Sequence, residues 1–560
     1  MASEKGVDFL GKQNANFFKL KNITLMRRLN RLVFIMLLTF TMGLKSYSQK
    51  NNVLNPSDFK HYIDDFNRND NELYKQFITN DSVWKFLKSN IPFFECPDKN
   101  IELTYYFRWW TYRKHIQKTP TGYVITEFLP KVSWSEKYNT IASASALHFY
   151  EGRWLKSKEY LNGYANFWFT EGNPRMYSFW VANSLLEYYK VTNDLSIIGL
   201  LPQLVKNYKV WEIGWVKKGH FIGKNKDGLF STFDDRDGME MQIGGSGERP
   251  TINSYMYAEA KAISEFAMLV GNKKLVKEFV AKADSLKVLV NTQLWDEKAK
   301  FYKTRSEKDG QFVDVRELQG YTPWYVNLPP ENKGYEKAWE LITTNNGFNA
   351  PYGLTTAEQI HPKFTISYAG HECQWNGPVW PMATSITLKA LSNVINNYNQ
   401  NTVTKHDYYD QFIKYSNSHR IVLDKGKILP WIDEDMNPYT GDWISRTRLK
   451  NWENGTWSEE KGGVERGKDY NHSSYCDLLI SDLIGLKPQI NNSVIINPLL
   501  PEASWDWFCL DNVYYKGKTL TILFDRYGTK YNKGVGLMLY VDGVLMGQKD
   551  KIEKMKVELD

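Results

Sequence analysis

Between Gly228 and Pro250 the chain reads GLFSTFDDRDGMEMQIGGSGERP, with Asp234, Asp235, Asp237, Glu240 and Arg236 inside seven residues. Carboxyl groups gathered on a loop suit acid/base work, because loops carry sites while the helices around them fix geometry. Gly244-Gly245-Ser246-Gly247 lets the backbone turn tightly, and a helix begins near Thr251-Ile252-Asn253. Any one of these acids taken singly has an ordinary role, in a solvated loop that caps that helix. A second acidic stretch changes the weighing. Leu429–Trp443, LPWIDEDMNPYTGDW, again sets carboxyls (Asp433, Glu434, Asp435) among aromatic and turn residues. Between the two lies Gly370–Pro381, GHECQWNGPVWP. Its Pro378 and Pro381 make a rigid lead-in to an apolar helix, and Trp375 and Trp380 present faces beside Gln374 and Asn376.

The elements that position these loops are helical. Apolar residues recur three or four apart over Ile141–Tyr150, Lys156–Phe169, Met176–Tyr189 and Leu195–Tyr208. The pattern resumes over Ile252–Val270, Leu275–Leu294, Tyr335–Thr343, Val379–Tyr398, His406–Ser418 and Tyr470–Leu483. Paired helices with long, chemically rich links between pairs predict a mainly α fold, an α-toroid with one rim bearing the site. Asn51–Asn90 reads as polar helix. Ile101–Pro130 carries YYFRWWTYRKHI, whose Arg108 and Arg113 can grip a ligand through stacking or brace a core wall. Beyond Leu486 the runs Val494–Asn497, Thr519–Asp525 and Gly536–Val541 alternate in β fashion. The predicted organisation is an N-terminal segment over 49–100, a catalytic domain over 101–486 and a small β domain over 487–560, completed in part by N-terminal strands.

At 560 residues the chain exceeds one ordinary core. Aromatic residues make up 15%, with 20 Trp and 35 Tyr. Most belong to a helical core, but rings lining a cleft stack on sugar C–H faces, which makes carbohydrate the natural ligand. The net charge of +8, from 71 basic and 63 acidic residues, is mild, and no basic stripe of the kind nucleic acid needs is present. Cys96, Cys373, Cys476 and Cys509 lack paired spacing, which argues against structural zinc or a disulfide framework. The histidines lack ligand spacing too, so no metal or other cofactor is implied. Calcium on Asp433 or Asp435 is compatible but unforced. Met26-Arg27-Arg28-Leu29-Asn30-Arg31, the apolar run Leu32–Leu44 and Ser46-Tyr47-Ser48 form a secretory signal over 26–48, downstream of an extension over 1–25. The mature protein is expected to start near Gln49 and to be periplasmic or secreted, with no stable membrane span. Oligomeric state is not legible.

Gln374-Trp375-Asn376-Gly377-Pro378-Val379-Trp380-Pro381 resembles the Trp-rich signature of the six-hairpin (α/α)6 glycosidases, the trehalase, family 63 and mannosylglycerate-hydrolase-like group. Asp237-Gly238-Met239-Glu240 resembles the element that carries that group's general acid, with Met for Trp and Glu for Asp. Glu434-Asp435-Met436-Asn437-Pro438-Tyr439-Thr440-Gly441 resembles the element that carries its general base. The likeness spans roughly 90–486, in the family's order along the chain. The whole also resembles exported polysaccharide-degradation enzymes of the Bacteroidetes kind.

The resemblance implies an (α/α)6 toroid with a small β domain, and an inverting, exo-acting glycoside hydrolase with Glu240 as acid and Glu434 as base. Asp237 stays a rival acid. Glycoside cleavage needs one carboxylic acid to protonate the leaving oxygen and one carboxylate to activate water or attack carbon. Arg236, Arg249 and Asn376 can hold sugar hydroxyls, Trp380 can stack, and Met239, Met241 and Trp375 can keep the acid in apolar surroundings. His472, at the opening of the last helix, either lines the pocket or caps the helix. A retaining glycosidase or a polysaccharide lyase fits the same toroid, and a noncatalytic glycan-binding protein is the alternative from another class. The sugar itself is not legible.

Overall fold

The computed structural model describes residues 53–366, 373–449, 461–463 and 465–559. The expected extension 1–25 and signal segment 26–48 lie outside these. Helices dominate, as the periodicity predicts. Lys99–Lys114 is capped by the Asp98 carboxylate, which accepts from the N–H groups of Asn100 and Ile101. This helix is buried on nearly all faces, so its aromatic run is wall. Arg113 donates to the Ile78 carbonyl (2.7 Å), to Gln76 and to Asn80, and Arg108 is fully buried. Arg113 therefore braces the core, while the Arg108 guanidinium makes no hydrogen bond among the described residues.

Six helices form a ring: Ala142–Gly152, Val181–Thr192, Pro250–Leu269, Thr322–Tyr325, Pro381–Asn397 and Tyr475–Leu478. Each packs on the next, and the last returns to the first. The opening helix, ASASALHFYEG, is buried throughout. Its small residues let backbones approach, and a Cβ on Gly152 would stand 2.2 Å from the Tyr112 hydroxyl. Outer helices need only one apolar stripe. Lys273–Gln293, which backs Pro250–Leu269, buries Phe279, Ala283, Leu286 and Val290 and turns its other faces to solvent. The fold is the expected one, a mainly helical toroid with a small β part.

Several helix boundaries differ from expectation: Met176–Tyr189 becomes a helix only from Val181, and Tyr335–Thr343 is a 3₁₀ helix over Tyr335–Ile342. The run Leu195–Tyr208 divides into Leu195–Ile198 and Leu201–Ile213, with Pro202 starting the second. The last helix begins at Tyr475, continued by a π turn over Leu479–Leu483, rather than at Tyr470. Residues 470–474 find tertiary partners for their backbone instead: Asn471 N–H donates to the Glu127 carbonyl (3.2 Å) and Ser474 N–H to the Ser385 hydroxyl (3.1 Å).

The C-terminal part forms an antiparallel sheet in the order Phe93–Glu95, Trp507–Tyr515, Lys518–Asp525, Gly536–Val541, Val544–Lys549. Phe94 is in register with Leu510, so an N-terminal strand joins the sheet. The Lys516 N–H donates to the Val191 carbonyl (2.7 Å), tying the sheet to the ring. Residues 52–560 form one compact unit. No helix of the described residues is long and apolar enough to cross a membrane.

Candidate active site

The ring sets the position of the site. A cavity of about 160 Å³ is lined by Ile141, Tyr177, Glu240, Trp380 and His472, among others. Each of these stands on the segment that leads into a ring helix, those starting at Ala142, Val181, Pro250, Pro381 and Tyr475. The chain therefore presents its helix-entry loops at one rim, and the acid-bearing loops meet there. Glu240 and Glu434, 194 positions apart by number (434 less 240), both line this cavity.

The Trp-rich stretch stands between the two glutamates and holds both backbones. Trp375 N–H donates to the Glu240 carbonyl (3.0 Å). Val379 and Met436 exchange a pair of backbone hydrogen bonds, 2.9 Å each, two residues past Glu434. Upstream of Glu240 a 3₁₀ turn over Asp234–Asp237 ends at Gly238 in the left-handed region (φ 67°). Met241, immediately after, is left-handed too (φ 64°). These two left-handed residues bracket Glu240; Gly238 adopts the turn freely, whereas at Met241 it is backbone strain of the kind that collects at functional sites.

The two carboxyls sit in different surroundings. Burial pushes Glu240 well above the ordinary carboxylate range, and the neighbouring Asp235, Asp234 and Glu127 add to the push. Burial also raises Glu434, but there the Arg466 guanidinium pulls back. Arg466 grips Glu434 in a fork, Nε to Oε1 at 2.6 Å and Nη2 to Oε2 at 2.8 Å. Its guanidinium lies 5.1 Å from the Trp134 ring centroid and 5.8 Å from that of Phe128. The Cys373 thiol stands 3.8 Å from Glu434 Oε2. Asp433, next door, accepts from Ser445 Oγ (2.9 Å) and pairs with Arg446 (3.2 Å). Those bonds fasten the Asp433–Glu434 segment in place.

The other sequence-selected residues divide. Trp380 lines the cavity, stacked on Trp375 with centroids 4.5 Å apart, its indole N–H donating to the Gln374 carbonyl (2.8 Å). His472 lines it as well, with Nδ1 2.7 Å from Glu127 Oε1 and 2.8 Å from the Tyr470 hydroxyl. It stands three residues before the last helix, so capping is not its role. Trp375 is 1% exposed and packs behind the cavity with Met239. Asn376 is outside the lining and takes the Thr365 N–H on its carbonyl (3.0 Å).

Three expectations are corrected by the geometry. Asp237 does not line the cavity; its carboxylate is taken up by Arg249 Nε (2.6 Å), Thr251 and Ser178. Arg249, fully buried in that pair, also donates to Gln242 and to the Gly245 carbonyl. Arg236 donates to the Met176 carbonyl and lies over the Tyr177 and Phe233 rings. All three stabilise the loop from within, because a buried ion must be paired where it stands.

Sequence reasoning passed over Glu127, Tyr177, Phe128, Trp134, Tyr470 and Arg466, which line or back the cavity. Glu127 lay in the Ile101–Pro130 stretch, where only the aromatic run with Arg108 and Arg113 stood out, and Arg466 sits in no recognised motif. Gly467 gives a direct test of the packing. A Cβ there would stand 1.7 Å from Asp433 Oδ1 and 3.4 Å from Glu434 Cγ, and Asp433 is pinned by the bonds above. Gly467→Ala is therefore expected to shift the Glu434 segment and lower kcat/KM by about 100-fold, as a misplacement near 1 Å does. Steady-state kinetics with circular dichroism of the folded protein check it, and unchanged kcat/KM would refute the tight fit.

Comparisons with known proteins bear on the family and the fold. The mannosylglycerate hydrolase MGH1-like glycoside hydrolase domain matches residues 137–473, more than half of the chain. The C-terminal domain of glycosyl hydrolase family 65 matches 489–544. A solved structure named as a sialidase is 39% identical with a TM-score of 0.83, over 91% of this chain and 46% of its own. An uncharacterized protein of Borreliella burgdorferi is 25% identical over 204 residues, 36% of this chain and 40% of that protein. The chain thus spans less than half the length of each. A family 63 mannosylglycerate hydrolase of Thermus thermophilus, solved with glucose, aligns at 16% identity over 42% of this chain and 47% of its own. Its TM-score of 0.29 is too low to bear on the arrangement.

Proposed function

The chain belongs to the mannosylglycerate hydrolase MGH1-like glycoside hydrolase family, and on that premise we propose that it hydrolyses terminal glycosidic bonds of an oligo- or polysaccharide. Glu240 is the general acid and Glu434 the general base that activates water. The observation that carries the reading is the single cavity lined by both glutamates. Their surroundings support the division of roles. Glu240, desolvated among acids, holds its proton for the leaving oxygen, whereas Glu434 has a guanidinium to favour its ionised form.

Exo action is supported by size. About 160 Å³ falls well below the roughly 300–1,000 Å³ of drug-sized pockets, and suits one sugar ring between Trp380, Phe128 and Trp134. Inversion is what the resemblance of the acid and base motifs implies, and it needs carboxyls about 6.5–9.5 Å apart, leaving room for water. The experiment is a screen on plant and algal oligosaccharides with the first-formed anomer followed by NMR. Inverted product released one residue at a time supports the proposal. Retained configuration sinks inversion, and internal fragments sink exo action.

A lyase reading draws on the Tyr470–His472 contact in the cavity wall, since such a pair can abstract a proton beside a uronate. An unsaturated sugar at new chain ends would favour it. Export to the periplasm or beyond is supported by the basic, apolar and small-residue run 26–48. N-terminal sequencing of the protein recovered from cells decides: a start near Gln49 supports export, and an intact Met26 rejects cleavage.

A further inference from the structure

We propose that the sugar ring seated between Glu240 and Glu434 is uncharged, and that sialic and uronic acids are excluded from this cavity. The inference rests on the glycosidase reading and narrows it to a substrate class. A sugar carboxylate taken out of water needs an arginine fork or a lysine ammonium to meet it. Among the described residues lining the cavity there is no arginine or lysine, while Glu127, Asp235, Glu240 and Glu434 all face it. Of the nearby cations, Arg236 lies over the Tyr177 ring, donates to the Met176 carbonyl and stands 3.8 Å from Asp235. Arg466 is held by both oxygens of Glu434, and Arg249 by Asp237. Lys218, 2.8 Å from Asp235, keeps 64% of its side chain in solvent. His472, the one lining side chain able to carry positive charge, is 2.7 Å from Glu127.

Helix N-termini at this rim contribute only partial positive charge, against four carboxyl-bearing side chains in the lining. Among residues whose side chains are not described, 367–372 and 447–460 carry Arg448, Lys450 and His371 against Glu372, Glu453, Glu459 and Glu460, so acids outnumber the permanent cations four to two. What the wall does offer is hydroxyl recognition. His472 Nε2 is buried with no hydrogen-bond partner among the described residues, and the Glu127 carboxylate beside it accepts. Together they present the mixed donor and acceptor edge that an uncharged ring satisfies.

The test uses the full chain. Glu240→Gln, impaired in turnover, is titrated by saturation-transfer NMR with glucose, mannose, rhamnose and arabinose, and with glucuronate and N-acetylneuraminate. The wild type is assayed on nitrophenyl glycosides of both groups. At least one uncharged sugar is expected to bind, with the anionic sugars weaker by about 100-fold or more. Asp235→Asn, which removes one negative charge at the mouth, is expected to narrow that gap about tenfold. A uronate or sialate bound or cleaved as well as the best uncharged sugar overturns the inference, and so does failure of every uncharged sugar to bind. An uncharged sugar bound but never cleaved by the wild type sinks the hydrolase reading alone. Cleavage confined to anionic glycosides sinks this inference alone.

Discussion

Glu240→Gln and Glu434→Gln are each expected to lower kcat/KM by about 100- to 10,000-fold on natural glycosides, with sugar binding retained. The two losses differ in kind. Glu240 protonates the leaving oxygen, so an aryl glycoside whose leaving group needs no proton should recover much of the rate in Glu240→Gln. Glu434 activates water, so the same substrate should recover little in Glu434→Gln. Kinetics on a series of leaving groups separate the roles, and equal recovery in both variants would overturn the assignment. The pH profile follows from the same groups. Both carboxyls are raised by burial, so both limbs of the bell lie above the range of ordinary carboxylates, and Glu240→Gln removes the alkaline limb.

Glu240→Gln also carries a stability consequence. A carboxyl whose folded pKa is raised contributes stability that is fully present below its unfolded pKa and is lost as pH rises through the folded value. Between those two values the loss is progressive, so at neutral pH the wild type has already lost part of that contribution, while glutamine has nothing to ionise. Glu240→Gln is therefore expected to be more stable than wild type by about 0.5–2 kcal/mol near neutrality, the gain vanishing in acid. Thermal unfolding at two pH values reads this, and a destabilised variant at neutral pH would remove the desolvated-acid argument.

The residues that stood out in the sequence did so because acids cluster poorly by chance on aromatic loops, and two of those clusters meet at one cavity. Spacing could not say which acid of a cluster faces inward. Asp237 and Glu240 are three residues apart, yet one is locked to Arg249 in the loop interior and the other lines the cavity. The deciding feature is the left-handed turn at Gly238 between them, a backbone event with no side-chain signature beyond the glycine. Helix existence was legible because the 3.6 period runs through most of the ring. Where tertiary hydrogen bonds replaced helical ones, at 470–474, the period continued past the true start of the helix. Glu127 and Arg466 escaped notice for a related reason: each matters through a partner hundreds or tens of positions away, His472 and Glu434.

Arg466 makes that dependence measurable. Arg466 and Glu434 are each 1% exposed or less, and breaking a buried pair from one side leaves an unpaired charge, which costs about 3–5 kcal/mol. Arg466→Met is expected to lose that much stability at neutral pH and to raise Glu434 further, because burial then acts unopposed. The acidic limb of kcat/KM should move to higher pH, and activity at neutrality should fall with it. Arg466→Lys keeps the charge but not the fork, so it should restore part of the limb position and less of the rate. Adding Glu434→Gln to Arg466→Met removes the stranded charge and should recover most of the lost stability with no recovery of activity. Denaturant unfolding of the four-member cycle, with pH profiles of the active members, measures the coupling. A double variant as unstable as the sum of the singles would mean that Arg466 serves packing against Trp134 and Phe128 rather than the ionisation of the base.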